Sequence, residues 1–233
     1  MPLIYDFDLM QCGGHISGWL VQGDDAQNFE KHLLEYTKDI KEKYVGSEPM
    51  LFAVGDGNHS LCTAKFCYEA EKAATGRTDL PSRYAMVELQ NLQDEVQQFE
   101  PIHRVVTDVD VQKLWQELQK LATADGHKIE CVTNGQQSTL FLDKNKGELA
   151  VAVLQEFLDK YLAGNKGKID YIHEKQATIE LAQQKNAIGF LLPPIDKNDF
   201  FKSIIVDGVL PRKTFSMGHA QEKRYYLEVR KIK

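Results

Sequence analysis

Apolar and polar positions along the chain predict an α/β protein of mixed α+β layers. Residues His15–Val21 follow a Gly13-Gly14 turn and read as a strand. From Asp24-Asp25 to about Tyr44 the apolar positions Phe29, Leu33, Tyr36, Ile40 and Tyr44 recur as one face of a helix requires, with Lys31, Lys38, Lys41 and Lys43 mostly on its wet side. Met50–Val54 is a continuous apolar run, the pattern of a strand covered on both faces. It stops at Gly55-Asp56-Gly57-Asn58-His59-Ser60. Leu61–Ala74 then predicts a helix with Leu61, Ala64 and Tyr68 on one side and Cys62, Phe66, Ala70 and Ala73 on another. A helix apolar over that much of its circumference is expected to be well buried. Tyr84–Leu92 reads as a further strand, and Phe99–Val106 carries Phe-Glu-Pro-Ile-His-Arg-Val-Val.

Beyond Asp108, Val109–Ala122 predicts an amphipathic helix. Lys128–Val132 and Ser138–Leu142 read as a strand pair around Asn134-Gly135, a strong hairpin signal. Leu149–Leu162 reads as a helix ending at Gly164. The rest alternates: strand Ile169–Ile172, helix Lys175–Lys185, strand Ala187–Leu192, helix Lys197–Ile205 and a final strand Arg224–Val229. Alternation of this kind predicts a sheet that is at least partly parallel in the last third. The expected seam lies near residue 107, dividing the chain into 1–106 and 107–233.

Length and composition narrow the class. The 233 residues suit one or two compact units. With 28 Lys+Arg against 34 Asp+Glu the net charge is −6, which lacks the basic footprint of a nucleic-acid binder, so nucleic acid is not an expected partner. No apolar run approaches the roughly 20 residues of a membrane span, and the first residues, with Asp6 and Asp8 and no base, are not a secretory leader. A cytoplasmic protein without a membrane partner is expected. Cys12, Cys62, Cys67 and Cys131 form no Cys-x-x-Cys motif and are expected to be small, mostly buried thiols. No His-Glu-x-x-His, Walker A, Gly-x-Ser-x-Gly or Gly-x-Gly-x-x-Gly sequence is present, so no metal site and none of the common nucleotide or hydrolase classes is indicated.

The most informative local feature is the 55–60 loop at a predicted strand-to-helix junction. Gly55 and Gly57 permit positive φ and close backbone approach. The following helix offers unpaired N–H groups and the positive end of its dipole, a receptacle for phosphate oxygens. Asn58 or Ser60 is placed to cap that helix, leaving Asp56 and His59 for a cation or a proton. The same residues are also ordinary turn chemistry. Further candidates are His103-Arg104, where His titrates near neutrality and Arg supplies a fixed fork, although a surface pair is the plainer reading. Lys213, in Pro211-Arg212-Lys213-Thr214, the most basic point near the final strand, is placed to clamp phosphates, although a charge pair that solubilises an edge strand is the plainer reading. His15 follows a Gly-Gly turn, and His173 stands at the C-terminal end of a strand, where open α/β sheets place ligands. His219 is placed in a loop, and His32 and His127 at the surface.

Gly55-Asp56-Gly57-Asn58-His59-Ser60-Leu61 with Ala64 resembles the Asp-Gly-His-His-Arg-Tyr signature of the family called domain of unknown function (DUF) 1015. Gly13-Gly14-His15, Pro101-Ile102-His103-Arg104, residues 151–155, 169–173 and 190–194, and Pro211-Arg212-Lys213-Thr214 match it in order. The resemblance covers nearly the whole chain and looks like the C-terminal, larger part of a longer family member. The loop is also similar to that of the ParB/sulfiredoxin superfamily, whose partition proteins, sulfiredoxin and free serine kinase use CTP, ATP and ADP. That resemblance implies a ParB/sulfiredoxin-like first part, Mg²⁺ and a nucleotide as ligands, and phosphates held by Gly55, Gly57, Asn58 and Ser60. Asp56, Gly57 and His59 match the loop, Asn58 replaces its first histidine, and Ser60 stands where the family often has Arg. Arg104 or Lys213 would then supply the missing charge.

Two functions follow. One is nucleotide-phosphate binding, extending to a phosphotransferase for a small metabolite, with Asp56 on Mg²⁺ or the acceptor and His59 and His103 as proton carriers. The other is a non-catalytic regulatory or interaction domain with a structural 55–60 turn. DNA partition follows only by analogy, and the acidic charge opposes it.

Overall fold

The structure, a computed structural model, describes residues 1–44, 48, 50–95, 98–217 and 227–231. The chain divides into two compact units, Met1–Leu92 with His219–Lys233, and Gln93–Gly218.

The first unit opens with an antiparallel ribbon of β1 (Leu3–Asp8) and β2 (His15–Trp19). Strand alternation makes the ribbon two-faced. Asp6 pairs with Ser17 and Asp8 with His15 on one side, while Phe7 pairs with Ile16 and Tyr5 with Gly18 on the other. Helix α1 (Asp24–Lys43) carries Asp24 and Asp25 in its first turn and Lys41 and Lys43 in its last, each sign opposing the helix dipole there. Helix α2 (Asn58–Thr75) ends at Gly76, whose left-handed backbone lets its N–H reach the Lys72 carbonyl.

Several expectations for this unit are corrected. Residues 51–54 and 84–91 contain no strand, and Phe52, Val54, Tyr84, Met86, Val87 and Leu89 are exposed. An apolar run signals a tendency to be covered, but it forms a strand only where a neighbouring backbone accepts its hydrogen bonds. Helix α2 has no buried residue. The Leu61, Ala64 and Tyr68 side is half-buried, whereas Phe66 on the other side is 73% exposed. Among the described residues, Ile40 and Leu80 are the apolar side chains of this unit that are buried.

The second unit holds the main core. A five-stranded sheet comprises β4 (His103–Thr107), β5 (Ala122–Thr133), β6 (Gln136–Leu142), β7 (Lys168–Ile172) and β8 (Ile188–Leu191), in the order β6-β5-β8-β4-β7. Between β5 and β6, Asn134 and Gly135 both take positive φ (47° and 77°), as the expected tight hairpin turn requires. Every bonded pair in the sheet is antiparallel, which corrects the partly parallel expectation. The cause is interleaving. Strands β4 and β5, joined through α3 (Val111–Gln119), run in the same direction but have β8 between them. Strands β7 and β8, joined through α5 (Lys175–Leu181), likewise have β4 between them. These are two interlocked split β-α-β crossovers.

Alternate residues sort the core. Val106, Ile129, Cys131, Ile188 and Phe190 meet Leu114 and Leu118 of α3 and Leu154 and Leu158 of α4 (Ala150–Gly164). Val132 and Leu191 face the other way, onto Ile179 of α5 and Ala182. Helices therefore cover both faces of the sheet. Asp110 caps α3 by accepting from the Lys113 N–H at 3.0 Å. A short pair, β3 (Phe99–Pro101) with β9 (Phe215–Met217), packs Phe99 and Phe215 against Phe200 of α6 (Lys197–Asp207). Of the expected final strand, Arg224–Tyr226 lie outside the described residues, and Leu227–Val229 form no strand.

Candidate functional site

The 55–60 loop lies on the surface, and every residue in it is exposed. Gly57 occupies the N-cap position of α2 with φ 80° and ψ 17°, a left-handed conformation that favours glycine. Its N–H donates to Asp56 Oδ1 at 2.8 Å, and its carbonyl accepts from Leu61 at 3.0 Å. Asn58 is already the first helical residue, so neither it nor Ser60 acts as the expected cap, and no side chain caps the helix. The loop leads into α2 from non-regular backbone rather than from a strand. Asn58, His59 and Ser60 thus present their amides at the positive end of an 18-residue helix.

His15, in the same unit, is held on both sides. Its Nδ1 lies 2.7 Å from Asp8 Oδ1 and its Nε2 lies 2.7 Å from Asp6 Oδ1. The Ser17 hydroxyl donates to the same Asp6 oxygen at 2.6 Å. Hydrogen bonds to Asp8 and then Asp6 push the imidazole above its ordinary pKa, and those from Ser17 and His15 hold Asp6 below its own. Ser17 gives its proton to a carboxylate rather than to the imidazole, so these residues do not form an activated nucleophile. Asp6, Asp8 and Ser17 did not stand out in the sequence. Their i, i+2 spacing on a strand was the available signal.

His103 and Arg104 lie in the second unit, and their surface reading is overturned because both are buried. Neighbouring strand residues point to opposite faces. His103 accepts the Leu192 N–H on Nδ1 at 3.1 Å. Burial, aided by Lys175 and Arg104, lowers its pKa to about 4, so it is neutral at physiological pH and acts as an internal acceptor. Arg104 donates from Nε to Gln155 Oε1 at 3.0 Å, from Nη1 to the Ile102 carbonyl, and from Nη2 to the Arg212 carbonyl at 3.3 Å. Its guanidinium lies 4.8 Å from the Tyr171 ring centroid, and burial lowers its pKa to about 10. Fully buried and aimed at internal acceptors, it is not the phosphate clamp expected from the sequence.

Gln155, Asp159, Tyr171 and Arg212 complete this network; Gln155, Tyr171 and Arg212 lie in the stretches 151–155, 169–173 and 211–214, but none of the four was a candidate site residue. Gln155 Nε2 donates to Asp159 Oδ1 at 2.9 Å, and Arg212 lies 3.5 Å from the same carboxylate. Lys213 follows at φ 55°, exposed in a turn that Arg104 holds through the Arg212 carbonyl. His173 is exposed just beyond β7. His32 is at the surface with Nδ1 on the Asn28 carbonyl, but His127 is half-buried and donates to the Gly147 carbonyl at 2.8 Å. His219 lies outside the described residues. Three of the four thiols, Cys12, Cys62 and Cys67, are exposed, correcting the expectation of mostly buried cysteines. Among the described residues, no group of three or more His, Cys, Asp or Glu side chains is arranged to hold a metal, and no helix is long and apolar enough to cross a membrane.

A family model described as a protein of unknown function (DUF1015) matches residues 1–161. No curated protein matches the chain. Among solved structures, SbnI with a C-terminal truncation from Staphylococcus aureus is 16% identical, with a TM-score of 0.45 over 81% of this chain and 76% of that one.

Proposed function

Because the chain belongs to the DUF1015 family, which is defined by sequence and has no activity in its description, we propose a function from the residues themselves: binding of a phosphate group, carried by a nucleotide, at the 55–60 loop. The observation that carries this reading is the left-handed Gly57 turn, which leaves the amides of residues 58–60 uncapped and exposed at the start of α2. The similarity of the loop to that of the ParB/sulfiredoxin superfamily supports a nucleotide as the carrier of the phosphate. Asp56, which fixes Gly57, is the residue to meet Mg²⁺, and His59 is the proton carrier if a phosphoryl group is transferred to a small metabolite. A cytoplasmic location fits such a ligand.

Binding without turnover is the second reading. The burial of His103 and Arg104 favours it, because it withdraws one proton carrier and one charge-neutralising group from phosphoryl transfer.

Calorimetric titration with ATP, ADP and CTP in the presence of Mg²⁺ tests the proposal on wild type and on the Asp56→Ala/His59→Ala double variant. Saturable heat in wild type that is weakened in the variant supports the binding site. No heat with any nucleotide removes it. Multiple turnover of a phosphoryl donor separates the enzyme from the binding module.

A further inference from the structure

We infer that the polar face of the β1–β2 ribbon is a proton-operated clamp, in which a doubly protonated His15 ties Asp6 and Asp8 together and releases one of them on losing a proton. Each ring nitrogen lies 2.7 Å from a carboxylate oxygen. An ionised carboxylate only accepts hydrogen bonds, so both nitrogens must donate, and only the imidazolium carries two N–H groups. A neutral ring satisfies one contact and turns a lone pair toward the other carboxylate. Pairing places these groups together, since Asp8 stands opposite His15 and Asp6 opposite Ser17 on one side of the ribbon.

The charged groups acting on His15 are Asp8 and Asp6, and Ser17 adds a hydroxyl to Asp6. Across the ribbon stand Phe7, Ile16 and the Tyr5 ring, which covers Gly18. The direction follows from linkage. The imidazole is raised above its ordinary value of 6.5, so both hydrogen bonds to the ionised carboxylates are kept at that pH, and one of them is lost as pH rises through the folded value. Above it, two like charges remain two residues apart on one face.

An isolated two-stranded ribbon is marginally stable, and this one closes on a demanding turn. Leu9 N–H reaches the Gly14 carbonyl at 2.7 Å, while Gln11 and Cys12 take φ of 56° and 60°. The clamp therefore controls how firmly the 9–14 turn is held. This inference does not depend on nucleotide binding.

The test uses the full chain. Long-range proton–nitrogen NMR of the histidine rings reads their protonation, and amide exchange reads the ribbon. His15 is expected to hold two ring protons past pH 6.5. Asp6→Asn and Asp8→Asn should each shift its midpoint down. Protection of the β2 amides should fall across the midpoint, beyond the intrinsic rise of exchange with pH, and His15→Gln should abolish that step. A wild-type midpoint at or below 6.5 overturns the clamp, as does a raised midpoint with no step in β2 protection. Both are read on wild type, so misfolding of a variant does not rescue the idea.

Discussion

Arg104 and Tyr171 stand directly opposite one another on β4 and β7, and the guanidinium lies 4.8 Å from the ring centroid. A charged group is thereby buried over an aromatic face, with Gln155 Oε1 and two main-chain carbonyls accepting hydrogen bonds from it. The network joins β4, α4 and the 211–214 turn, so Arg104 positions that turn.

Arg104→Met is expected to destabilise the protein by about 3 kcal/mol or more, since unsatisfied buried acceptors cost about 1–3 kcal/mol each. Arg104→Lys should recover only part of this because an ammonium lacks the planar fork. Tyr171→Leu should cost about 1–2 kcal/mol through loss of the ring face, and Tyr171→Phe less than about 1 kcal/mol. Urea unfolding of the four variants ranks them, and an Arg104→Met midpoint equal to wild type contradicts the account.

His103 makes stability depend on pH in the opposite direction to His15. Its folded pKa of about 4 is below the ordinary 6.5, so the unfolded chain binds more protons between these values. The contribution is complete above 6.5 and is lost as pH falls toward 4, on the order of 3 kcal/mol at most. His103→Asn keeps an acceptor for the Leu192 N–H but cannot titrate. Urea midpoints between pH 4 and 7 should slope more steeply for wild type than for this variant.

Gly57→Ala isolates the backbone at the candidate phosphate site. Nothing lies within 4 Å of the added Cβ, so crowding plays no part. The left-handed conformation costs an L-residue about 1–2 kcal/mol, and Gly57→Asn should cost less. Weaker nucleotide binding in the same order as the loss of stability, with all side chains of the loop retained, would tie the ligand to the turn itself.

Thiol labelling of the native protein should modify Cys12, Cys62 and Cys67 readily and spare Cys131 until unfolding. Burial pushes the Cys131 thiol up to about 12, so almost no thiolate is present at neutral pH. Peptide mapping after brief alkylation reads the pattern, and early modification of Cys131 contradicts it.

The second unit was largely legible in the sequence because its signals are local. Apolar periodicity marks α3 and α4, and Asn134-Gly135 marks a turn that needs two left-handed residues. Strand order was not legible, since alternation reports which elements follow one another and not that β8 enters between β4 and β5. Arg104 was visible as a residue but not as a buried one. Its burial depends on Gln155, Tyr171 and Arg212, which come from distant parts of the chain. In the first unit the apolar stretches at 50–54 and 84–92 read as strands because composition records a preference for cover and says nothing of a backbone partner.

The central place of β8 sets the order in which the sheet can be assembled during synthesis. The β5–β6 hairpin and the β4–β7 pair are both complete before Leu191 leaves the ribosome, yet they share no bonded edge until β8 arrives. A chain made only that far holds the partners of two separate strand pairs, whose β4 and β5 edges lack the neighbour that covers them in the finished sheet, and unpaired edges of that kind invite aggregation. Of the five strands in this sheet the last made is the one that joins the others, so a chain ending before Ile188 has no route to the finished sheet.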